Sequence, residues 1–271
     1  MSALADGVNL AVAIAGTGKP VVKAGNWLTH VEHERRSPIW APLNQTLASR
    51  FRFVRFDGRG YGLSDWDVHE LGIETTLRDL ETVVDCQKLD RIALLGISQG
   101  AATAIAYAAR YPSRVEKLVI YGGYVRGRKR RNSPTQEHEA DLFLALMSHG
   151  WGDEHSAFMR AFSSVFLPKG TAEQISWFTE LQKLTASPEN AVRLRKANDE
   201  VDVSHLLPAV KAETLVLHSR HDAVVPLQEG RLIAASIRNA RFVELDSDNH
   251  LILPQEPAWP KFIAEMIAFL E

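Results

Sequence analysis

Cysteine is all but missing from this chain: its 271 residues include one, Cys86. A lone thiol excludes an internal disulfide framework and fits an intracellular protein. Cys86 falls in an apolar-patterned helix and reads as a packing residue. Net charge is also low, −2 at neutral pH, so no global field draws the molecule to nucleic acid or to a membrane surface. Apolar runs long enough to span a bilayer are absent. No positive residue precedes Lys19, which argues against a signal peptide. Internal repeats and low-complexity tracts are lacking too. These absences point to a cytoplasmic globular protein of one large domain, or of one domain with an insertion. A chain this long buries roughly three quarters of its unfolded surface and needs no metal or disulfide for stability.

What is present is an alternation. Gly7 to Ala15 alternates apolar residues, Gly16-Thr17-Gly18-Lys19-Pro20 turns, and Val21-Val22 resumes extended structure, a pattern that reads as a hairpin. Further strands are expected at Phe51–Phe56, Ile92–Leu95, Val115–Tyr121, Thr214–His218 and Arg241–Leu245. Helical patterns lie between them, at about 74–88, 99–110, 228–237 and 257–270. Strands alternating with helices imply an α/β protein with a mostly parallel sheet covered on both faces. From 124 to 205 the rhythm changes to helices alone. Ser133-Pro134-Thr135-Gln136 and Thr171-Ala172-Glu173-Gln174 are helix-start signatures, and Ser187-Pro188 is another. The expected organisation is a core of 1–123 and 206–271 with an inserted helical lid of 124–205. One basic run, Arg126-Gly127-Arg128-Lys129-Arg130-Arg131, reads as a solvated connection leaving the core rather than a polyanion patch.

The chemistry begins at Leu94-Leu95-Gly96-Ile97-Ser98-Gln99-Gly100. An apolar strand ends here on a serine between two glycines, and a helix follows. This is a G-x-S-x-G nucleophile elbow in strand–turn–helix context. A sharp turn lifts the Ser98 hydroxyl above the sheet, and Gly96 and Gly100 sit where strand and helix come too close for a Cβ. The helix N-terminus favours a developing anion. A serine hydroxyl is a weak nucleophile, however, and needs a base held by a third group. Asp222 lies in the loop after Thr214–His218, and His250 in the loop after Arg241–Leu245, the strand ends where ligands of α/β sheets gather. His218 and His221 are rival bases, and Asp246 and Asp248 rival acids, with turn roles the simpler reading of the two aspartates. His30 and His33 match no zinc motif; His30 is instead a candidate to line the pocket. The Gly58, Gly60 and Gly62 spacing lacks the third glycine position of a dinucleotide fingerprint.

Together with Phe56-Asp57-Gly58-Arg59-Gly60-Tyr61-Gly62-Leu63-Ser64 and Ala223-Val224-Val225-Pro226, the elbow makes the chain resemble the α/β-hydrolase superfamily over nearly its whole length. Val22 to His30 also resembles hydrolase modules joined to bacterial transcription regulators or nucleotide cyclases. The resemblance implies the order serine, acid, histidine, hence a Ser98–Asp222–His250 triad. It implies oxyanion donors in the N–H groups of Gln99 and Asn26, with Trp27 the alternative to Asn26. At this loop many relatives carry His-Gly where this chain has Ala24-Gly25, and Asn249 stands where glycine usually precedes the histidine; asparagine tolerates the left-handed conformation. A nucleophilic serine argues against the dehalogenases and epoxide hydrolases of the superfamily, which use aspartate.

The expected activity is cofactor-free and metal-free hydrolysis of a small, apolar carboxylic ester, with Trp27 and His30 at the substrate. Trp151, Phe158, Phe162, Trp177 and Phe178 are candidates for an apolar acyl pocket, although holding the lid together is the simpler role for each. Lactonase, thioesterase, perhydrolase and carbon–carbon bond hydrolase chemistry use the same triad. A ligand receptor that keeps the pocket but signals through a partner is the alternative of another class.

Overall fold

The computed structural model describes residues 1–152 and 157–271. Eight strands form one sheet: β1 (Ser2–Ala5), β2 (Val8–Ala15), β3 (Pro20–Lys23), β4 (Arg52–Phe56), β5 (Ile92–Ile97), β6 (Val115–Tyr121), β7 (Glu213–Ser219) and β8 (Ala240–Leu245). Their spatial order is β1-β2-β4-β3-β5-β6-β7-β8. The two pairings β1–β2 and β2–β4 are antiparallel, and the rest are parallel. This is the mostly parallel α/β sheet that the alternation implies.

Parallel strands between two helical layers must bury both faces, which explains their continuous apolar runs. Alternate residues of β5 and β6 divide accordingly. Leu95, Ile97, Val119 and Tyr121 face a core shared with α1 (Trp40–Ala48) and α9 (Trp259–Leu270). Leu94, Leu118 and Ile120 face the opposite core, with α2 (Ile73–Cys86), α3 (Gly100–Arg110) and α8 (Leu227–Ser236). Four helices stand between β6 and β7: α4 (Pro134–Gly150), α5 (Ala157–Phe166), α6 (Ala172–Thr185) and α7 (Pro188–Asp199). Ser133, Thr171 and Ser187 each accept a hydrogen bond from the backbone N–H three residues on, so the helix-start signatures act as caps. No helix among the described residues is long and apolar enough to cross a membrane.

Three expectations need correction. The segments around Val8–Ala15 and Val21-Val22 are not hairpin partners: β2 pairs with β4, and β3 lies beyond β4, beside β5. Val21 and Val22 are both buried, one toward each core, as a central parallel strand requires. The hairpin that does form joins β1 to β2 through Asp6 and Gly7, both at positive φ. Helix α1 lies outside the expected set of helices. Its start is secured by Ser37 Oγ, which accepts the N–H groups of Ile39 and Trp40. Cys86, finally, is exposed at the end of α2 and is not the packing residue expected.

The β2-to-β3 crossing depends on Gly16. It has φ +75°, and a Cβ there would fall 2.0 Å from the Ala48 carbonyl oxygen and 2.3 Å from that of Phe51. Gly16→Ala is expected to lower stability by about 2 kcal/mol or more, from left-handed strain and overpacking together. Urea denaturation tests this, and an unshifted midpoint would remove Gly16 from the account.

Candidate active site

The chain runs from β3 to β4 on one side of the sheet and then returns to β5 on the other. Strand order therefore reverses between β3 and β5, and a crevice opens at the C-terminal ends of such strands. Residues 24–28 leave β3 at that point, and Ser98 follows β5. Ser98 has φ +54°, a left-handed conformation unusual for a residue with a Cβ. The neighbouring glycines make it possible. A Cβ at Gly96 would lie 2.8 Å from Ala101 Cα, and one at Gly123 2.4 Å from Ala101 Cβ. The Ser98 N–H donates to the Tyr121 carbonyl at 3.0 Å and anchors the corner to β6.

Three side chains from distant parts of the sequence meet above this corner. His250 Nε2 lies 2.9 Å from Ser98 Oγ, and His250 Nδ1 lies 2.6 Å from Asp222 Oδ2. A carboxylate only accepts, so Nδ1 carries the proton, leaving Nε2 to accept from the Ser98 hydroxyl. Oδ1 of Asp222 accepts the N–H groups of Val224 and Val225 at 2.8 and 2.9 Å. Burial pushes the Asp222 carboxyl upward, but the electrostatic attraction and hydrogen bond of His250, with help from His218 and the Val225 N–H, outweigh it and hold the group below its ordinary range. Ser98, Asp222 and His250 are all buried.

The rival side chains lie elsewhere or act differently. His218 is buried behind the acid, with Nε2 3.0 Å from the Val225 carbonyl and 3.6 Å from Asp222 Oδ2. Burial, above all, lowers its pKa. His221 is exposed. Asp246 and Asp248 pair with Arg220 and Lys169. His30 accepts the His33 N–H at Nδ1, and His33 stacks on Trp177 at 4.9 Å.

Two backbone N–H groups lie where the 24–26 loop meets the start of α3. A Cβ on Gly100 would lie 2.9 Å from the Gly25 carbonyl oxygen and 3.5 Å from Asn26 Cβ, so the 24–26 loop sits against the start of α3. Among the described residues, the N–H groups of Asn26 and Gln99 donate to no protein acceptor. Asn249 does not use the left-handed region at all. Its side chain instead accepts the Lys169 N–H and donates to Glu256 Oε1, tying down the residue before His250.

A small cavity of about 40 Å³ opens beside Ser98, space for roughly three waters. Trp27, Gln99, Phe166, Val224 and Val225 line part of it, and His30 does not. Trp151, Phe158, Phe162, Trp177 and Phe178 are not in the lining either; Phe162 packs against Trp27, Trp151, Phe158 and Phe166 instead. The rest of the wall is Tyr124, Arg128, Arg131, Arg195, Asn198 and Asp199, so the pocket expected to be apolar also carries charged and polar side chains. The basic run is only in part a solvated connection: Arg130 is exposed, whereas Gly127 is buried and the half-buried Arg128 and Arg131 line the cavity. Its density of charge was the one signal in the sequence that could have marked it. Tyr121 was missed altogether. Its hydroxyl donates to the His250 carbonyl and accepts the Ile252 N–H, both at 2.8 Å.

Comparison with known proteins bears on the fold and family. A family model described as alpha/beta hydrolase fold matches residues 34–257. The AB hydrolase superfamily protein YisY of Bacillus subtilis (strain 168) is 27% identical over 248 residues, 90% of this chain and 89% of that one. A 2-hydroxy-6-oxononadienedioate/2-hydroxy-6-oxononatrienedioate hydrolase of Pseudomonas putida is 29% identical over 224 residues, 78% of this chain and 76% of the relative. Among solved structures, an esterase from Exiguobacterium antarcticum superposes with a TM-score of 0.85 at 24% identity, covering 100% of this chain and 98% of its own. The enol-lactonase from Burkholderia xenovorans LB400 gives 0.78 at 24% identity, covering 100% and 99%.

Two outcomes are expected. Tyr121→Phe leaves the His250 carbonyl and the Ile252 N–H without their buried partner and should cost about 1–3 kcal/mol in a denaturant titration. The lowered Asp222 carboxyl stabilises the fold fully above about pH 4, and that contribution disappears as pH falls through the lowered folded value. Asp222→Asn should thus flatten stability against pH on the acid side; slopes equal to those of the parent protein would contradict the pairing.

Proposed function

The chain belongs to the α/β-hydrolase fold family, and from that premise we propose that it is a serine hydrolase cleaving a carboxylic ester through an acyl-enzyme. The carrying observation is the continuous chain from Ser98 Oγ through the His250 imidazole to Asp222, at 2.9 and 2.6 Å. These are hydrogen-bond distances suited to proton transfer without rearrangement.

In this reading His250 Nε2 takes the hydroxyl proton as Ser98 Oγ attacks the ester carbonyl. Asp222 keeps the proton on Nδ1 and stabilises the imidazolium that forms. Negative charge grows on the former carbonyl oxygen, where the Asn26 and Gln99 N–H groups receive it. His250 then returns its proton to the departing alcohol. A water enters, gives a proton to His250 and cleaves the acyl-enzyme, restoring Ser98. The helical stretch 124–205 acts as a cap over the core formed by 1–123 and 206–271. Supporting this, the Phe166 carbonyl in α5 accepts the His250 N–H at 3.0 Å, and Gln182 in α6 accepts the Trp27 indole N–H at 3.1 Å. Trp27 contributes to the wall against the acyl group.

Ser98→Ala is expected to reduce turnover of short 4-nitrophenyl esters by about 10⁶ and to abolish labelling by a fluorophosphonate, with an unchanged circular dichroism spectrum. A parent protein that neither turns over such esters nor takes the label would defeat the hydrolase reading. It would favour a ligand-binding role for the same cavity.

A further inference from the structure

The cavity beside Ser98 carries more positive charge than its own acids can neutralise. Arg128, Arg131 and Arg195 all line it, with Asp199 the single carboxylate in the lining. Asp199 is already engaged, accepting from Arg195 Nε at 2.8 Å. Arg126 stands behind the wall and pairs with Glu229 at 2.6 Å. Among the described residues this makes four arginines, Arg195 buried and the other three half-buried, against two carboxylates in one corner.

Their arrangement points inward. The guanidinium groups of Arg128 and Arg195 lie against the same Phe143 ring, 5.1 and 5.5 Å from its centre, so two like charges are held close together. Arg131 lies over Tyr124 at 5.4 Å, and its Nε and Nη1 donate to the Arg126 carbonyl and to Gln136. Arg195 is buried, and Nη1 of Arg128 is buried with no hydrogen-bond partner among the described residues. Burial first, then the neighbouring Arg195 charge, brings the Arg128 pKa down to about 10, unusual for a group that is ordinarily charged at any physiological pH. A buried cation left without an anion is costly. Surface electrostatics do not require this arrangement, since the other basic side chains of the run, Lys129 and Arg130, have Asp141 and Glu200 as partners.

We propose that Arg128, Arg131 and Arg195 form an anion subsite of the active-site cavity, so that the substrate is a compact ester bearing a free carboxylate close to the bond that is cleaved. Guanidinium groups match the planar, two-oxygen geometry of a carboxylate. This deepens the hydrolase reading and rests on it for the word substrate, but the anion site itself can be tested without turnover.

Two measurements separate the ideas. In the first, kcat/KM is compared between mono(4-nitrophenyl) glutarate and the neutral 4-nitrophenyl butyrate. The parent protein should prefer the charged ester by at least about tenfold. Arg128→Gln and Arg131→Gln should each reduce that ratio by about tenfold, the effect of losing one hydrogen bond to a charged group. Equal constants in the parent protein, or a ratio unmoved in both variants, would overturn the proposal while leaving the hydrolase reading intact.

In the second, the Ser98→Ala protein is titrated calorimetrically with monomethyl glutarate and with dimethyl glutarate. The monoanion should bind at least about tenfold tighter, and less tightly once Arg128→Gln is added. Binding of this kind in a protein whose parent hydrolyses no ester would sustain the anion site and discard the hydrolase. Equal affinity for both compounds, or displacement of the monoanion by equimolar inorganic phosphate, would discard the carboxylate assignment.

Discussion

The left-handed corner at Ser98 is the constraint on which the rest of the site depends. A serine at φ +54° carries local strain of about 1–3 kcal/mol and persists because its surroundings permit nothing else. Gly96 and Gly123 let α3 come down on the strand ends, and Gly100 lets the 24–26 loop close against the helix start. The Ser98 N–H is tied to the Tyr121 carbonyl. One tight packing arrangement thus raises the hydroxyl, frees the Gln99 N–H and brings the Asn26 N–H beside it. Relaxing the corner would disperse all three.

The histidine is held by a different means. His250 follows β8, at the far end of the sheet order from β3, and its own strand does not aim it. The Tyr121 hydroxyl holds the backbone on both sides of Leu251, at the His250 carbonyl and the Ile252 N–H. Asn249 and Ser247 converge on Glu256, while Phe166 and Lys169 reach the loop from the α5 end. The loop is therefore braced jointly by the sheet and by the helical stretch. The same stretch supplies Arg195, and the chain leading into it supplies Arg128 and Arg131. Residues that hold the imidazole and residues that line the cavity are parts of one packed unit.

Much of this was legible because local rules act over a few residues. Ser133, Thr171 and Ser187 announce helix starts through bonds that span three residues, and all three caps form. The apolar runs at Ile92–Ile97 and Val115–Tyr121 read as strands because burial on both faces leaves no polar alternation. The hairpin reading of the first strands failed for the complementary reason. A turn rich in glycine shows that the chain reverses or crosses, and nothing in Gly16 to Lys19 says whether β4 will come between. The aromatic side chains on α5 and α6 show the same limit. Their helical spacing establishes a buried face, and the fold spends that face on packing Phe162 among its neighbours instead of on the cavity.

The amino-acid order by itself determined the element types, the elbow at Ser98 and the two loops that carry Asp222 and His250, since each is written in contiguous residues with a local physical signature. Only the tertiary structure decided which histidine faces the serine, how the strands are ordered, and where Arg128, Arg131 and Arg195 point. Those outcomes depend on distances between segments far apart in the chain, such as Arg128 and Arg195 meeting over one Phe143 ring. Such meetings are set by the packing of whole layers, and no short stretch of sequence encodes them.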